Sequence, residues 1–140
     1  MKKSLLILIT LSIFAAKAYS QCNNIKTGTF ISVDSLAGKT TIQRNHSIQL
    51  EENETLGIKF IEKLKWIDDC SYVIYEFNVL RNKGKISNPS GNFIVSLEQI
   101  NDSVFKQTVL IEKLNFKHTS TTIKISDNIS NEFKELLKKL

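Results

Sequence analysis

The sequence predicts an all-β domain of about eight strands in an antiparallel meander, followed by one short C-terminal α-helix. Three observations lead to this fold class. Apolar residues between positions 25 and 126 alternate with polar ones more often than they follow a helical period. Clusters of Gly, Asn and Asp interrupt the alternation at intervals of about ten residues. After position 130 the apolar spacing changes to that of a helix.

The first element is a predicted signal peptide over residues 1–20. Lys2 and Lys3 precede an apolar run, and Ala18-Tyr19-Ser20 forms a small-x-small cleavage site between Ser20 and Gln21. The run covers about twelve residues, whereas a helix needs roughly 20 to span a bilayer. We therefore expect export to the periplasm or the cell exterior, and a mature chain 21–140 that forms a single β-domain with no transmembrane segment.

The basic charge of the whole chain belongs largely to this leader. The 140 residues carry 19 Lys and Arg against 14 Asp and Glu, a net charge of +5. Removing Lys2, Lys3 and Lys17 leaves 16 basic residues against 14 acidic ones, a net charge of +2. A nearly neutral domain has little to attract a polyanion, so we expect no nucleic-acid partner.

The mature chain contains two cysteines, Cys22 and Cys70. In an exported protein such a pair favours one disulfide. Two alternatives remain: lipid attachment at Cys22, for which Gln21 replaces the small residue expected before an acylated Cys, and a pair of free thiols. A catalytic Cys70 would need a neighbouring base, and only His46 and His118 exist to supply one.

The predicted strands cover residues 25–34, 39–45, 47–52, 56–67, 70–80, 92–100, 103–113 and 117–126. Alternation in the fifth strand places Val73, Tyr75, Phe77 and Val79 on one face, with Tyr72, Glu76 and Asn78 on the other. In the fourth strand Glu62 and an extra Ile61 break the shared parity of Ile58, Phe60, Leu64 and Trp66, which predicts a bulge. Asp68-Asp69 and Asn101-Asp102 predict tight turns. Residues 81–91 form the longest polar, turn-rich stretch, and we expect a mobile loop there.

The last element is a predicted amphipathic helix over residues 130–140. Phe133, Leu136, Leu137 and Leu140 recur at helical spacing, Ser130 is a candidate N-cap, and Lys138 and Lys139 suit the C-terminal end. So short a helix must dock, and we expect it to cover an open end or edge of the β-domain. A membrane-surface or partner helix is the alternative, but the apolar stripe is small for it.

A search for catalytic chemistry predicts no enzyme, no cofactor and no metal site. His46 and His118 are far apart in the chain and lie in no ligand-spaced motif. The carboxylate pairs Glu51-Glu52 and Asp68-Asp69 each point to opposite strand faces, so neither forms an acid/base dyad by itself. We interpret the first pair as a solvated strand end. A small hydrolase, the least favoured possibility, would need a cleft that joins a carboxylate or Ser to one of the histidines.

Nine aromatic residues are spread over the predicted strands, and two interpretations of them remain open. They either fill the interior as a core or line a cavity, since a barrel of about eight strands is wide enough for packed side chains or for one small ligand. The predicted architecture is a lipocalin-like barrel or a strongly curved sheet. The aromatics are Phe30, Phe60, Trp66, Tyr72, Tyr75, Phe77, Phe93, Phe105 and Phe116.

These features predict a secreted or periplasmic binding scaffold for a small apolar ligand. The alternative is a structural or protein-interaction module of the cell envelope. Possible modification sites are the Asp-Ser-aliphatic triplets at Ser35 and Ser103, and the N-x-[ST] sequons at Asn45, Asn53, Asn101 and Asn128.

Four short segments resemble a family of short exported proteins of Bacteroidota. Cys22, the segment 26–30 (KTGTF), the segment 41–45 (TIQRN) and the segment 65–72 (KWIDDCSY) carry the resemblance. The matching residues are Gly28, Thr29, Phe30, Arg44, Lys65, Trp66, Asp69 and Tyr72, beside the two cysteines. Many of these relatives look like lipoproteins, and this chain departs from them at Gln21.

The resemblance implies architectural residues and no established activity. Gly28 would permit a bend or a close approach, Trp66 would fill the core, and the cysteines would join the first strand to the central hairpin. Some members of the family carry the name DNA topoisomerase IV. Nothing in this sequence supports that name, because such an enzyme needs a far longer chain, and a signal peptide removes the protein from DNA.

Overall fold

The computed structural model describes residues 22–87 and 90–140, so the leader and the cleavage site at Ser20 and Gln21 lie outside the described residues. Eight antiparallel strands form a closed barrel in meander order, with β1 hydrogen-bonded to β8. The prediction of an eight-stranded all-β domain with one helix is confirmed, in the form of a closed barrel. The strands are β1 (Gly28–Asp34), β2 (Gly38–Arg44), β3 (Ile48–Asn53), β4 (Ile58–Trp66), β5 (Ser71–Asn82), β6 (Phe93–Gln99), β7 (Val104–Ile111) and β8 (Phe116–Ser126).

Three short helical elements complete the described part of the chain: the 3₁₀ segments Asn23–Ile25 and Glu112–Leu114, and the helix α1 (Asn131–Leu137). The first 3₁₀ segment ends at Ile25, the residue at which we predicted β1 to begin. The strand starts instead at Gly28. Its φ of +123° is one that glycine adopts readily, and a Cβ at this position would collide with the carbonyl oxygen of Ser126. No helix in the described part of the chain is long and apolar enough to cross a membrane.

The connections divide the barrel into two different ends. Residues 35–37, 54–57, 83–87, 90–92 and 112–115 surround one end, which we call the open end. The turns at residues 45–47, 67–70 and 100–103 surround the other, closed end, which the N-terminal segment 22–27 also covers. The predicted turns are present: Asp68 Oδ1 accepts a hydrogen bond from the Cys70 N–H, and Asn101 Oδ1 accepts one from Val104.

The predicted facing of β5 is wrong in its first half. Lys63 pairs with Glu76 and Leu64 with Ile74, so Tyr75 is an extra residue in β5. This bulge reverses the parity of the strand: Tyr72 and Ile74 face the interior, whereas Val73 and Tyr75 face outward. The bulge that we predicted in β4 therefore lies in its partner strand, and β4 alternates regularly with Glu62 on the inner face.

The ladder between β5 and β6 is short. It joins Ser71–Ile74 to residues 93–96, a total of four residue pairs, while the rest of β5 pairs with β4 on its other side. Residues 75–82 of β5 thus have no ladder partner toward β6 among the described residues.

The main core occupies the closed end. Its buried members come from the N-terminal segment and from most strands: Cys22, Ile25, Phe30, Ile42, Leu64, Tyr72, Ile74, Val95, Leu97 and Phe105. The predicted disulfide is present, with the Cα atoms of Cys22 and Cys70 5.2 Å apart. It ties the N-terminal segment to the β4–β5 turn, where Lys26 also pairs with Asp69 at 2.9 Å.

The helix α1 docks on the outer wall of the barrel, over β3 and β4. Phe133 is fully buried against Leu50 and Ile61, and Ser130 caps the helix by accepting a hydrogen bond from the Phe133 N–H. Our expectation that the helix covers an open end or edge is wrong, because a closed barrel has no free edge. Leu140, predicted in the docking stripe, is 62% exposed.

Removing the disulfide is expected to destabilise the domain. Replacing both cysteines by Ala should lower the free energy of unfolding by about 2–5 kcal/mol, because the unfolded chain loses a cross-link that closes a long loop. Urea unfolding followed by the fluorescence of Trp66 measures the change. Reductant should lower the midpoint of the wild type and leave that of the double variant unchanged; equal wild-type midpoints with and without reductant would contradict the prediction.

Candidate functional site

A cavity of about 430 Å³ occupies the open half of the barrel. Its walls are mainly apolar, and a smaller pocket of about 150 Å³ adjoins it along β1, β2 and β8 and shares Asp34, Glu51, Gln107 and His118 with it. The side chains that line the larger cavity come from seven of the strands and from the β1–β2 turn: Asp34, Leu36, Ala37, Glu51, Phe60, Glu62, Tyr72, Ile74, Phe77, Phe93, Val95, Gln107, Val109, Phe116 and His118.

The aromatic residues divide between the two interpretations that the sequence left open, a packed core and a cavity lining. Phe30 and Phe105 belong to the closed-end core, while Phe60, Phe77, Phe93 and Phe116 line the cavity. Phe77 and Phe93 form a tilted pair with ring centroids 4.7 Å apart, which gives the cavity one continuous aromatic wall. The interior is therefore filled at one end and hollow at the other.

A buried guanidinium lies beneath the cavity. Arg44 is only 1% exposed. Its Nε donates to Gln49 Oε1 at 2.7 Å, its Nη1 to the Ile25 carbonyl at 3.0 Å and its Nη2 to the Tyr72 hydroxyl at 2.8 Å. The guanidinium carbon also lies 4.6 Å from the centroid of the Tyr72 ring and 5.0 Å from that of Phe30. The charge is thus compensated by hydrogen bonds and aromatic faces rather than by a direct carboxylate partner.

Arg44 fixes the orientation of Gln49, and Gln49 fixes the floor of the cavity. Arg44 has donors only, so the oxygen of the Gln49 amide must face it and the NH₂ group must face the other way. There Nε2 donates to Glu51 at 2.7 Å and to Glu62 at 2.8 Å. One amide therefore holds two carboxyl groups together at the base of the cavity.

Both carboxyls favour their protonated forms. Burial raises the pKa of Glu62 well above its usual value, and repulsion from Glu51 raises it further. Burial likewise raises the pKa of Glu51, although the Arg44 charge and the Gln49 hydrogen bond oppose this effect. Burial also raises the pKa of the Tyr72 hydroxyl, which stays protonated. Burial therefore makes a proton harder to remove from either floor carboxyl than from an exposed one.

A second polar pair lies at the mouth of the cavity. His118 Nε2 and Asp34 Oδ2 are 2.6 Å apart, across the β1–β8 seam that closes the barrel. Backbone N–H groups of Ala37 and Leu36 donate to the Asp34 carboxylate and, together with His118, hold its pKa below the usual value. The pair gives the mouth one fixed polar edge opposite its aromatic wall.

His118 meets the geometric condition that we set for a small hydrolase, because a carboxylate lies within hydrogen-bond reach. Among the described residues, however, no Ser or Cys is hydrogen-bonded to His118. The two nearby serines, Ser32 and Ser120, bond each other at 3.0 Å. His46 lies in the closed-end turn, where its carbonyl accepts from Trp66 Nε1. The absence of enzymatic activity stays a prediction.

The sequence missed the polar floor. We interpreted Glu51 as a solvated strand end, whereas it faces the interior; Glu52 faces outward and pairs with Arg81 at 2.6 Å, as alternation requires. Glu62 has the same parity as Phe60 and Leu64, and this parity is the signal that its side chain faces the interior. We interpreted its charge instead as a break in the apolar pattern of the strand. No group of three or more His, Cys, Asp or Glu in residues 22–87 and 90–140 is arranged to hold a metal ion.

The residues that carry the Bacteroidota resemblance lie mostly at the closed end. Phe30, Arg44 and Tyr72 form the guanidinium cluster, and Trp66 is half-buried beside it, with its ring centroid 5.9 Å from the Arg44 guanidinium carbon. The others are Gly28 at the start of β1, Thr29, whose hydroxyl donates to the Asn128 carbonyl, Asp69, paired with Lys26, and the exposed Lys65.

The predicted modification sites differ in exposure. Ser35 and Ser103 are both exposed in turns. Asn53, by contrast, is 2% exposed and donates to the Ala37 carbonyl, so that sequon is closed to a glycan in the folded domain.

Comparison of this chain with protein-family models, with curated proteins and with solved structures finds no match. Its function must therefore be inferred from the cavity and the groups that line it.

Glu62 should make the domain less stable as the pH rises. A carboxyl with a raised pKa binds more protons in the folded than in the unfolded state, so stability falls between the usual pKa of about 4.5 and the raised one. Glu62→Gln keeps the shape and the acceptor for Gln49 and removes this titration. Urea unfolding at pH 4 and at pH 8 should show a smaller loss of stability in this variant than in the wild type.

The matched control for this prediction is Glu54→Gln. Glu54 is exposed in the β3–β4 turn, so its substitution should leave the pH dependence of the wild type intact. If Glu62→Gln and Glu54→Gln show the same pH dependence, the charge of Glu62 is not suppressed by burial.

Proposed function

We propose that this protein is a non-catalytic binding protein that takes a small, mainly apolar molecule into the open half of its barrel. The observation that carries the proposal is the aromatic-walled cavity of about 430 Å³. Sites for small molecules typically occupy roughly 300–1,000 Å³, with apolar walls and a few polar groups that fix orientation. The cavity has both properties: its polar groups are those of the floor, the Asp34–His118 pair at the mouth and Gln107 of β7.

The rigidity of the surrounding wall supports this function. The closed-end core packs side chains from six of the strands, and the disulfide and the buried Arg44 add further links, which favours a preformed cavity. A preformed site binds more tightly because less conformational freedom is lost on binding. Burial of an apolar ligand against the phenylalanines contributes roughly 25 cal/mol for each Å² removed from water.

The proposed location is the periplasm or the cell exterior. The disulfide is compatible with an oxidising compartment, in which such bonds persist. Because Cys22 is bonded to Cys70, its thiol is not free for acylation, which argues against a lipid anchor at that residue.

Filling the cavity should abolish the binding of an apolar probe. Val109 lines both pockets, so Val109→Trp places a large side chain inside the barrel. We expect the wild type to bind N-phenyl-1-naphthylamine with an increase in its fluorescence. The dissociation constant from such titrations should rise at least about tenfold in this variant, a loss of roughly 1.4 kcal/mol of binding free energy.

The control is Val73→Trp, which introduces the same side chain on the outer face of β5, opposite the exposed Lys65. Circular dichroism and the thermal midpoint of each variant show whether it has folded. Binding by both variants at the wild-type level would place the probe outside the barrel and overturn the proposal.

A second candidate is an interaction module of the cell envelope, and the rim of the open end favours it. Leu36 is 90% exposed and Leu114 68% exposed, and Phe116 and Ile86 lie on the same rim. Such a patch is typical of a surface that meets another protein. Crosslinking in the native cell, followed by fractionation, should then recover the chain bound to an envelope protein; recovery of the free monomer alone would exclude this role.

A further inference from the structure

The charges that line the cavity are unbalanced. Three carboxyl groups, Asp34, Glu51 and Glu62, contribute to the lining, whereas His118 is the only basic side chain among the lining residues. His118 is already paired with Asp34. The charges of the two glutamates at the floor must therefore be compensated by other groups.

The protein satisfies the glutamates only in part. Both N–H groups of the Gln49 amide are used, one for each carboxyl. Glu51 Oε2 and Glu62 Oε1 receive no hydrogen bond from a described residue. Glu62 as a whole is buried, with 3% of its surface exposed. Neither glutamate takes part in an ion pair in the described part of the chain.

Arg44 donates no hydrogen bond to either glutamate. Each of its three nitrogens already donates to Gln49, Ile25 or Tyr72, and the Gln49 amide lies between the guanidinium and the two carboxyls. Its charge favours ionised carboxyls from a distance without supplying a donor to them. In the described residues Arg81 Nε is the only fully buried side-chain N or O atom without a hydrogen-bond partner, so these two carboxyl oxygens reach the cavity space. The floor is therefore complementary to a ligand that brings donors and positive charge.

We propose, resting on the binding function above, that the ligand is an organic amine whose protonated amino group lies between Glu51 and Glu62 while its aromatic or alicyclic body packs against Phe60, Phe77 and Phe93. An ammonium group has three donors and no acceptor, which matches a floor of acceptors. Its hydrogen bonds to carboxylates are charge-assisted and therefore strong. An anionic ligand brings acceptors rather than donors, and it would be repelled by either glutamate in the ionised form.

Proton exchange accompanies binding. Burial favours a proton on the glutamate pair. When the ammonium enters, it replaces that proton as the positive partner of the carboxylates, and the proton passes to solvent. The other charged or titratable groups that face the pair are Arg44 from β2, Tyr72 from β5, and the Asp34–His118 pair from β1 and β8. The affinity for an amine should therefore rise with pH as proton release becomes easier.

Three probes with one aromatic body test the proposal: 1-naphthylmethylamine, which is protonated at pH 7.5, the neutral 1-naphthylmethanol, and the anionic 1-naphthoate. Titration calorimetry with the full chain gives the affinity of each. We expect the amine to bind at least about tenfold more tightly than the alcohol, the ratio typical of a charge-assisted hydrogen bond in a buried site. The naphthoate should bind more weakly than either.

The variants Glu51→Gln and Glu62→Gln should reduce the ratio of amine to alcohol affinity toward one, while the exposed Glu54→Gln should retain the wild-type ratio. From pH 5 to pH 8 the amine affinity of the wild type should rise. An alcohol that binds as tightly as the amine, a naphthoate that binds most tightly, or a flat pH profile would overturn the amine assignment and leave the binding function standing. Failure of all three probes and of N-phenyl-1-naphthylamine would overturn the binding function itself.

Discussion

The structure depends on how one buried cation, Arg44, is accommodated. Arg44 lies among Phe30, Trp66 and Tyr72 at the closed end. A charge so removed from water is tolerated only when polar groups compensate it, and each of its three nitrogens donates a hydrogen bond. Its bond to the Ile25 carbonyl holds the N-terminal segment across the barrel. Its bond to Gln49 orients the amide that organises the two glutamates. Closure of one end and the chemistry of the cavity floor are consequences of the same guanidinium.

The main stabilising contacts and the cavity thus lie at opposite ends of the barrel axis. The closed end holds the disulfide, the largest buried cluster and the residues that resemble the Bacteroidota family. The open end holds the aromatic cavity, the acidic floor and an apolar rim. The helix α1 stabilises the wall between them from outside, where Lys59 bridges Glu132 of the helix and Glu52 of β3. A scaffold built in this way can vary its cavity without disturbing the half that keeps it folded.

Local patterns in the sequence predicted the fold well, because alternation, turn residues and helix caps act over a few positions. Asp68, Asn101 and Ser130 each do what their side chains favour locally. The site depends on longer-range geometry. Glu51 and Glu62 meet through the β3–β4 register, and Asp34 meets His118 only because β1 closes on β8. The bulge at Tyr75 leaves no local trace, so the facing of β5 could not be read from its alternation.

The short ladder between β5 and β6 determines where the barrel opens most readily. Beyond Ile74, β5 is held on one side only, and this stretch borders the cavity mouth, where Phe77 and Phe93 form the aromatic wall. Local opening in proteins begins where backbone hydrogen bonds are few. In the binding function proposed above, fluctuations that part this seam would give a bulky molecule a lateral passage to the interior, while the ladders from β1 to β4 hold the opposite wall. The seam would then govern the rate at which the ligand enters and leaves, and the floor would govern its affinity.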